Sequence, residues 1–199
     1  MALPKNLRHG FAPAEIEFLA ENESITVIPS QRMEMLQLIN GSYGPFRPPL
    51  QNVVPLWLAR TLKRKHKCNI VPPEWMDVDY LKAKIEQEMS QIEFSAMPFR
   101  YMEIAHILLG CASDDIPQAE TVRTLLKDLR EARQSKVRSG LKDLDPHYLQ
   151  IDNLGVMEIN EIRPFFSRAF NELRVLTPAG GALGGDSQTT MSGAQSSLG

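Results

Sequence analysis

Cysteine is nearly missing from this chain: Cys68 and Cys111 are the only two in 199 residues. Two thiols cannot build a disulfide framework, so a reducing compartment is expected. Long hydrophobic runs are missing too. No stretch approaches the ~20 apolar residues that a membrane-spanning helix needs. The N-terminus, MALPKNLRHGF, lacks the apolar core of a secretory signal. An intracellular, soluble chain with no membrane partner is the expectation. Nor does either sign of charge prevail, since 22 Lys and Arg face 24 Asp and Glu for a net charge of −2. That argues against a dominant phosphate-binding surface.

The motifs of chemistry are equally sparse. No G-x-x-x-x-G-K-[ST] loop occurs, so a nucleotide phosphate site has no support. GALGGD, near the end, follows a helical pattern rather than a strand and has no lysine, so it reads as linker. Cys68 and His66 lie together, but His106 and Cys111 come some forty residues later on a helix, and a Cys2His2 site needs all four to converge. His106 and Cys111 are five apart, which does not put them on one helix face for nucleophilic catalysis. The carboxylate pairs Asp77/Asp79, Asp114/Asp115 and Glu158/Glu161 each fall near a helix start, where capping and the macrodipole account for them. No catalytic residue, metal ligand or cofactor site is expected, and the chain reads as something other than an enzyme.

What the chain does carry is organisation. Residues 1–12 read as a flexible leader. AEIEFLA then places Ile16, Leu19 and Ala20 on one helix face, with Pro13 in the first turn. SITVIP alternates as a strand, and MEMLQLI (33–39) is a weaker strand candidate. Asn40-Gly41 signals a turn. The prolines of YGPFRPPLQNVVP favour an extended edge. These features make 13–54 a small β-rich domain. From Pro55 the chain reads as a mainly α-helical domain, 55–176. Its first helix is LWLARTLKRKHK, with Trp57, Leu58, Thr61 and Leu62 as the buried stripe. The short strand-like CNIV and the stop PPEW follow. Asp77 is placed to cap a helix bearing Val78, Leu81, Ile85, Met89 and Ile92. Pro98 starts another helix, with Met102, Ala105, Leu108 and Leu109 as its stripe. A long seam of Val122, Leu125, Leu126, Leu129, Ala132 and Val137 follows. The last helix carries Ile162, Phe165, Phe166, Ala169, Phe170, Leu173 and Leu176, with Pro164 acceptable only near its first turn. Residues 177–199 are rich in Gly, Ser and Thr and read as a disordered C-terminal tail. The fold class is α+β.

Three sets of side chains stand out. Phe165, Phe166, Phe170 and Leu173 make the last helix apolar over a wide arc, which suits a partner interface. Trp57 and Trp75 flank the CNIV segment and are placed to brace the junction between the two domains. Lys63, Arg64, Lys65 and Lys67 crowd a helix C-terminus, where the macrodipole favours cations. The same run supports a rival reading, a direct DNA-binding module, although no aromatic platform is interleaved with it.

The stretch PLWLARTLKRKHKCNIVPPEWMDVDYL resembles the signature of the Psf-two subunit family of the eukaryotic GINS complex. AEIEFLAENESITVIP is similar to that family's N-terminus, SDDIPQAETVRTLLKDLREAR to its long helix, and IDNLGVMEINEIRPFF to its last segment. The likeness runs in order over roughly residues 13–176. It implies a small β domain followed by a helical domain, and a non-catalytic subunit in a nuclear assembly of four related chains. The partners it implies are Psf-one, Psf-three and Sld-five, the MCM ring and the Cdc-forty-five protein, with DNA met only indirectly.

Overall fold

The computed structural model describes residues 10–140 and 152–176. The leader and tail expectations lie outside these, apart from residues 10–12. Helix α1 (Pro13–Ala20) begins as expected, with proline at its first position and the Ala12 amide donating to Glu15 Oε2 at 2.8 Å. Ile16 and Ala20 are buried, but Leu19 is turned out beside Phe18.

Strand β1 (Ser24–Pro29) is the middle of a three-stranded antiparallel sheet. Its alternation holds: Ile25 and Val27 face the core, paired with Val54 of β4 (Asn52–Pro55) and Ile70 of β5 (Cys68–Ile70). The third strand therefore comes from beyond Pro55, and the sheet is completed only at residue 70. The strand expected over 33–39 is confined to β2 (Leu36–Leu38), which pairs with β3 (Gly41–Tyr43) across the Asn40-Gly41 turn. Gly41 has φ +148, a backbone conformation that other residues rarely adopt. Met33 instead exchanges two backbone hydrogen bonds of 3.0 Å with Phe46.

Helix α2 (Leu56–Arg64) starts directly from β4, with Pro55 as its N-cap. It stops three residues short of Lys67. His66 takes a left-handed φ of 53 and the Lys67 amide returns to the Leu62 carbonyl at 3.0 Å. Its buried face is Leu56, Leu58, Ala59, Leu62 and Lys63, so Thr61 falls outside the expected stripe. The Thr61 hydroxyl instead donates to the Trp57 carbonyl at 2.9 Å.

A short 3-10 turn (Glu74–Met76) leads to α3 (Val78–Ser90), and Asp77 caps it by accepting from the Asp79 and Tyr80 amides at 3.0 and 3.4 Å. Leu81 is buried and Ile85 partly so, but Met89 and Ile92 are exposed; α3 ends before Ile92, and Glu88 takes the buried place instead. Helix α4 (Tyr101–Cys111) buries Tyr101, Glu103, Ala105 and Ile107 to Leu109. Helix α5 (Ala119–Gly140) packs along α3 and buries Val122 and Leu129. Helix α6 (Val156–Leu176) holds Pro164 in its interior, not in its first turn. The helix begins earlier than its apolar pattern suggested, because the polar Glu158 and Asn160 are already helical. One continuous apolar cluster runs from Val27 and Ile70 through Leu58, Leu62 and Leu108 to Leu129, so sheet and helices share a core.

Candidate assembly interface

The helical part is tied together by charge. Arg133, from α5, is 1% exposed. Its Nε and Nη2 donate to the two carboxylate oxygens of Glu158 at 2.7 and 3.1 Å, a bidentate pair with the first turn of α6. Its Nη1 donates to Glu88 of α3 and to the Ser95 carbonyl, and its Nη2 also reaches the Asn153 carbonyl. Tyr101 of α4 donates its hydroxyl to Glu158 at 2.9 Å, and the Gly155 amide donates to the same carboxylate at 2.7 Å. Glu88 further accepts from Ser95 N and Oγ, each at 2.8 Å, and from Lys136. Four helices thus meet at one guanidinium, whose planar fork can serve several acceptors at once.

Burial would raise the Glu88 carboxyl, but the Lys136 and Ser95 hydrogen bonds and the Arg133 charge outweigh it, and its pKa is lowered. Burial would likewise lower Arg133, and the Glu158 hydrogen bond and charge reverse that. Glu103 goes the other way: burial holds its carboxyl up, against the backbone amides of Glu103 and Met157 and the Arg100 charge. Neither of its oxygens makes a hydrogen bond of good geometry.

These groups correct the sequence reading of the carboxylate pairs. Asp77 caps its helix as expected, and Glu158 does receive the Gly155 amide. Its larger role is to neutralise Arg133. Glu161 accepts from Arg130 and from Gln134 at 3.0 Å, joining α6 to α5. Asp114 and Asp115 accept from Lys63 Nζ, each at 2.8 Å, and Asp115 also caps the edge of β5 by accepting from the Ile70 amide at 2.7 Å. The seams were read from apolar residues alone, which hid Arg133. Its signal was spacing: Arg133 continues the Leu125, Leu126, Leu129 register four residues on, a place where a charge needs a buried partner.

Beside this network α5 and α6 leave an open groove of about 360 Å³. Ile162, Phe165, Phe166 and Val137 supply its apolar lining, with Gln134, Arg138 and Glu161 on the polar side. Phe165 is 58% exposed and Phe166 is half-buried. The side chains of Phe170 and Leu173 lie outside the described residues. The tryptophans do not act as a pair. Trp75 meets Tyr101 edge-on at 6.4 Å, linking the turn before α3 to α4. Trp57 meets Tyr43 edge-on at 6.3 Å and so holds the β2–β3 hairpin to α2.

The basic run is divided. Lys63 is buried against its two aspartates; burial would lower its pKa, and those partners raise it instead. Arg64 and Lys65 are exposed and Lys67 is half-buried. Burial pushes the Cys68 thiol up to about 11 and raises Cys111 as well, which keeps both poor nucleophiles. Among the described residues no three His, Cys, Asp or Glu side chains gather in a metal-ligating group. No described helix is long and apolar enough to cross a membrane.

A small sheet followed by a helical bundle, with an aromatic groove left open, defines an α+β protein. Residues 12–71 match the PSF2 N-terminal domain and residues 75–176 the GINS complex protein helical bundle domain. The chain belongs to the PSF2 family of GINS complex proteins. It is 47% identical over 174 residues to the DNA replication complex GINS protein psf2 of Schizosaccharomyces pombe, covering 87% of this chain and 95% of that one. It is 47% identical over 165 residues to the Xenopus laevis PSF2 protein and 44% identical over 165 residues to the human one, each match covering 80% of this chain and 89% of the relative.

Proposed function

We propose that this chain is a non-catalytic scaffold subunit of a nuclear GINS complex. In this reading it assembles with the Psf-one, Psf-three and Sld-five chains. The assembly then joins the MCM ring and the Cdc-forty-five protein to form the replicative helicase, with DNA met only through those partners. The observation that carries the reading is the match of the first part of the chain to the PSF2 N-terminal domain and of the rest to the helical bundle domain of GINS complex proteins. The open Ile162–Phe165–Phe166 groove supports it. Phe165 is an exposed aromatic side chain beside a concave surface, and aromatic residues are enriched among the anchors of protein interfaces.

The test is co-expression with the three other subunits, followed by size-exclusion chromatography with in-line mass measurement. The parent chain is expected to elute in a complex carrying one copy of each. Phe165→Asp with Phe166→Asp should reduce recovery of that complex at least about tenfold, as expected when two interface anchors are lost. A parent chain that runs as a monomer with all three partners present would defeat the reading. Unchanged recovery of the double variant would move the interface away from this groove.

A further inference from the structure

Glu103 is the buried carboxylate that the charge network leaves out. The geometry points to a proton-sensitive joint between α4 and α6, in which Glu103 binds a proton and the first turn of α6 loosens when that proton is lost. This goes beyond the assembly reading and does not depend on it.

Three observations carry the inference. First, the carboxylate is enclosed where two helices begin. Glu103 lies in the first turn of α4 and is 1% exposed. The Met157 amide, in the first turn of α6, comes up to it, yet neither carboxylate oxygen forms a hydrogen bond of good geometry. The two helix starts are pressed together here. The Val156 amide donates to the Phe99 carbonyl at 2.9 Å, and a Cβ on Gly155 would stand 3.2 Å from that carbonyl oxygen and 3.3 Å from the Tyr101 ring.

Second, the neighbouring cations are committed elsewhere. Arg133 of α5 stands between Glu88 and Glu158. Arg100, just before α4, gives its Nε to Glu23 at 3.1 Å and bears on Glu103 only through its charge. On the α1 side, His106 of α4 faces Glu17 at 3.7 Å. From α2, Arg60 and Arg64 act at Cys111, the far end of α4. The charge that α6 brings is Glu158, a second anion. A buried carboxylate with no cation of its own is costly to ionise.

Third, the opposing effects leave a net preference. Burial and the Glu158 charge favour the neutral acid. The Glu103 and Met157 amides, each at a helix N-terminus, and the Arg100 charge favour the anion. Burial prevails, and the carboxyl is held above its ordinary value. Folding therefore favours the protonated form. That advantage is full at low pH and is lost as the pH rises through the folded value, opposite in sign to the effect of Glu88.

The test compares the full chain with Glu103→Gln, which keeps the shape and removes the charge. Thermal melts are run at about pH 5 and at about pH 8, which lies well above the ordinary glutamate range. At the higher pH the variant is expected to melt about 2–4 °C above the parent, a shift of the size that a tenfold change in stability makes in a chain of this length. At the lower pH the gap should narrow. Hydrogen exchange of peptides from the first turn of α6, compared at equal pH, should be faster in the parent at the higher pH and converge at the lower. A gap that does not change with pH, or a parent more stable than the variant at the higher pH, overturns the proposal, because Glu103 then acts as a satisfied anion. Equal exchange at both pH values overturns the joint. If Glu103→Gln misfolds, Glu103→Met, neutral and of similar length, carries the same comparison. Misfolding of both means that the site needs the charge, which also overturns the proposal.

Discussion

At the scale of single residues, Arg133 has the most to lose. It stands between Glu88 and Glu158, all three nearly inaccessible to solvent. Replacing it by methionine strands two buried carboxylates, and a broken buried pair typically costs about 3–5 kcal/mol. Urea melts of Arg133→Met at pH 7 should show a loss of that order. Adding Glu88→Gln and Glu158→Gln should recover part of it, because the uncompensated charges go. The pH profile supplies the sign. Glu88 has a lowered folded pKa, so its contribution is present above the ordinary glutamate range and is lost as pH falls through the folded value. The parent should therefore lose stability in acid more steeply than Glu88→Gln does. If Arg133→Met melts like the parent, the network does not hold the bundle.

At the scale of elements, the two tryptophans separate. Trp75→Ala removes the edge-on contact with Tyr101 where the chain enters the bundle. Since Trp75 is half-buried, about 2–3 kcal/mol is expected, below the range for a fully packed aromatic. It should appear as a lower melting temperature of the assembled complex. Trp57→Ala should loosen only the β2–β3 hairpin through Tyr43. A Trp57 variant with the larger loss would reverse this assignment. Local rules made several elements legible. The alternation of Ile25 and Val27, Pro13 at a first turn, Asp77 as a cap and the Asn40-Gly41 turn are decided by neighbouring residues alone. The missed features depend on remote ones. Met89 and Ile92 fit a helical stripe, yet both are exposed among the described residues, while Glu88 beside them is buried and pairs with Arg133 of another helix. Pro164 sits inside α6 because the helix is set by Glu158 and its partners upstream, which an apolar count does not register.

At the scale of the whole molecule, sequence order and spatial order diverge. The β-rich part read as ending near residue 54, whereas the sheet takes β5 from beyond α2. The apolar cluster then crosses without a break from sheet to helices. A fragment of residues 1–73 should consequently lack a sharp thermal transition, since Leu56, Leu58 and Leu62 lose the helices that cover them. A cooperative melt of that fragment, followed by circular dichroism, would mean that the sheet and α2 suffice for a core of their own. The groove was only partly legible: Phe165 and Phe166 marked the right helix and Val137 belonged to the apolar seam opposite, while Gln134, a polar residue, carried no signal in an apolar pattern.

The position of Arg133 also bears on how the chain is made. Its carboxylate partner Glu158 lies 25 residues downstream. A ribosome adding roughly 5–20 residues per second leaves an interval of about 1–5 seconds in which the arginine and Glu88 have been synthesised and Glu158 has not. Through that interval the Arg133–Glu88 pair lacks the Glu158 arm of the network, which also takes the Tyr101 hydroxyl of α4. The charge network closes only when α6 arrives, so the last described helix completes it in the newborn chain.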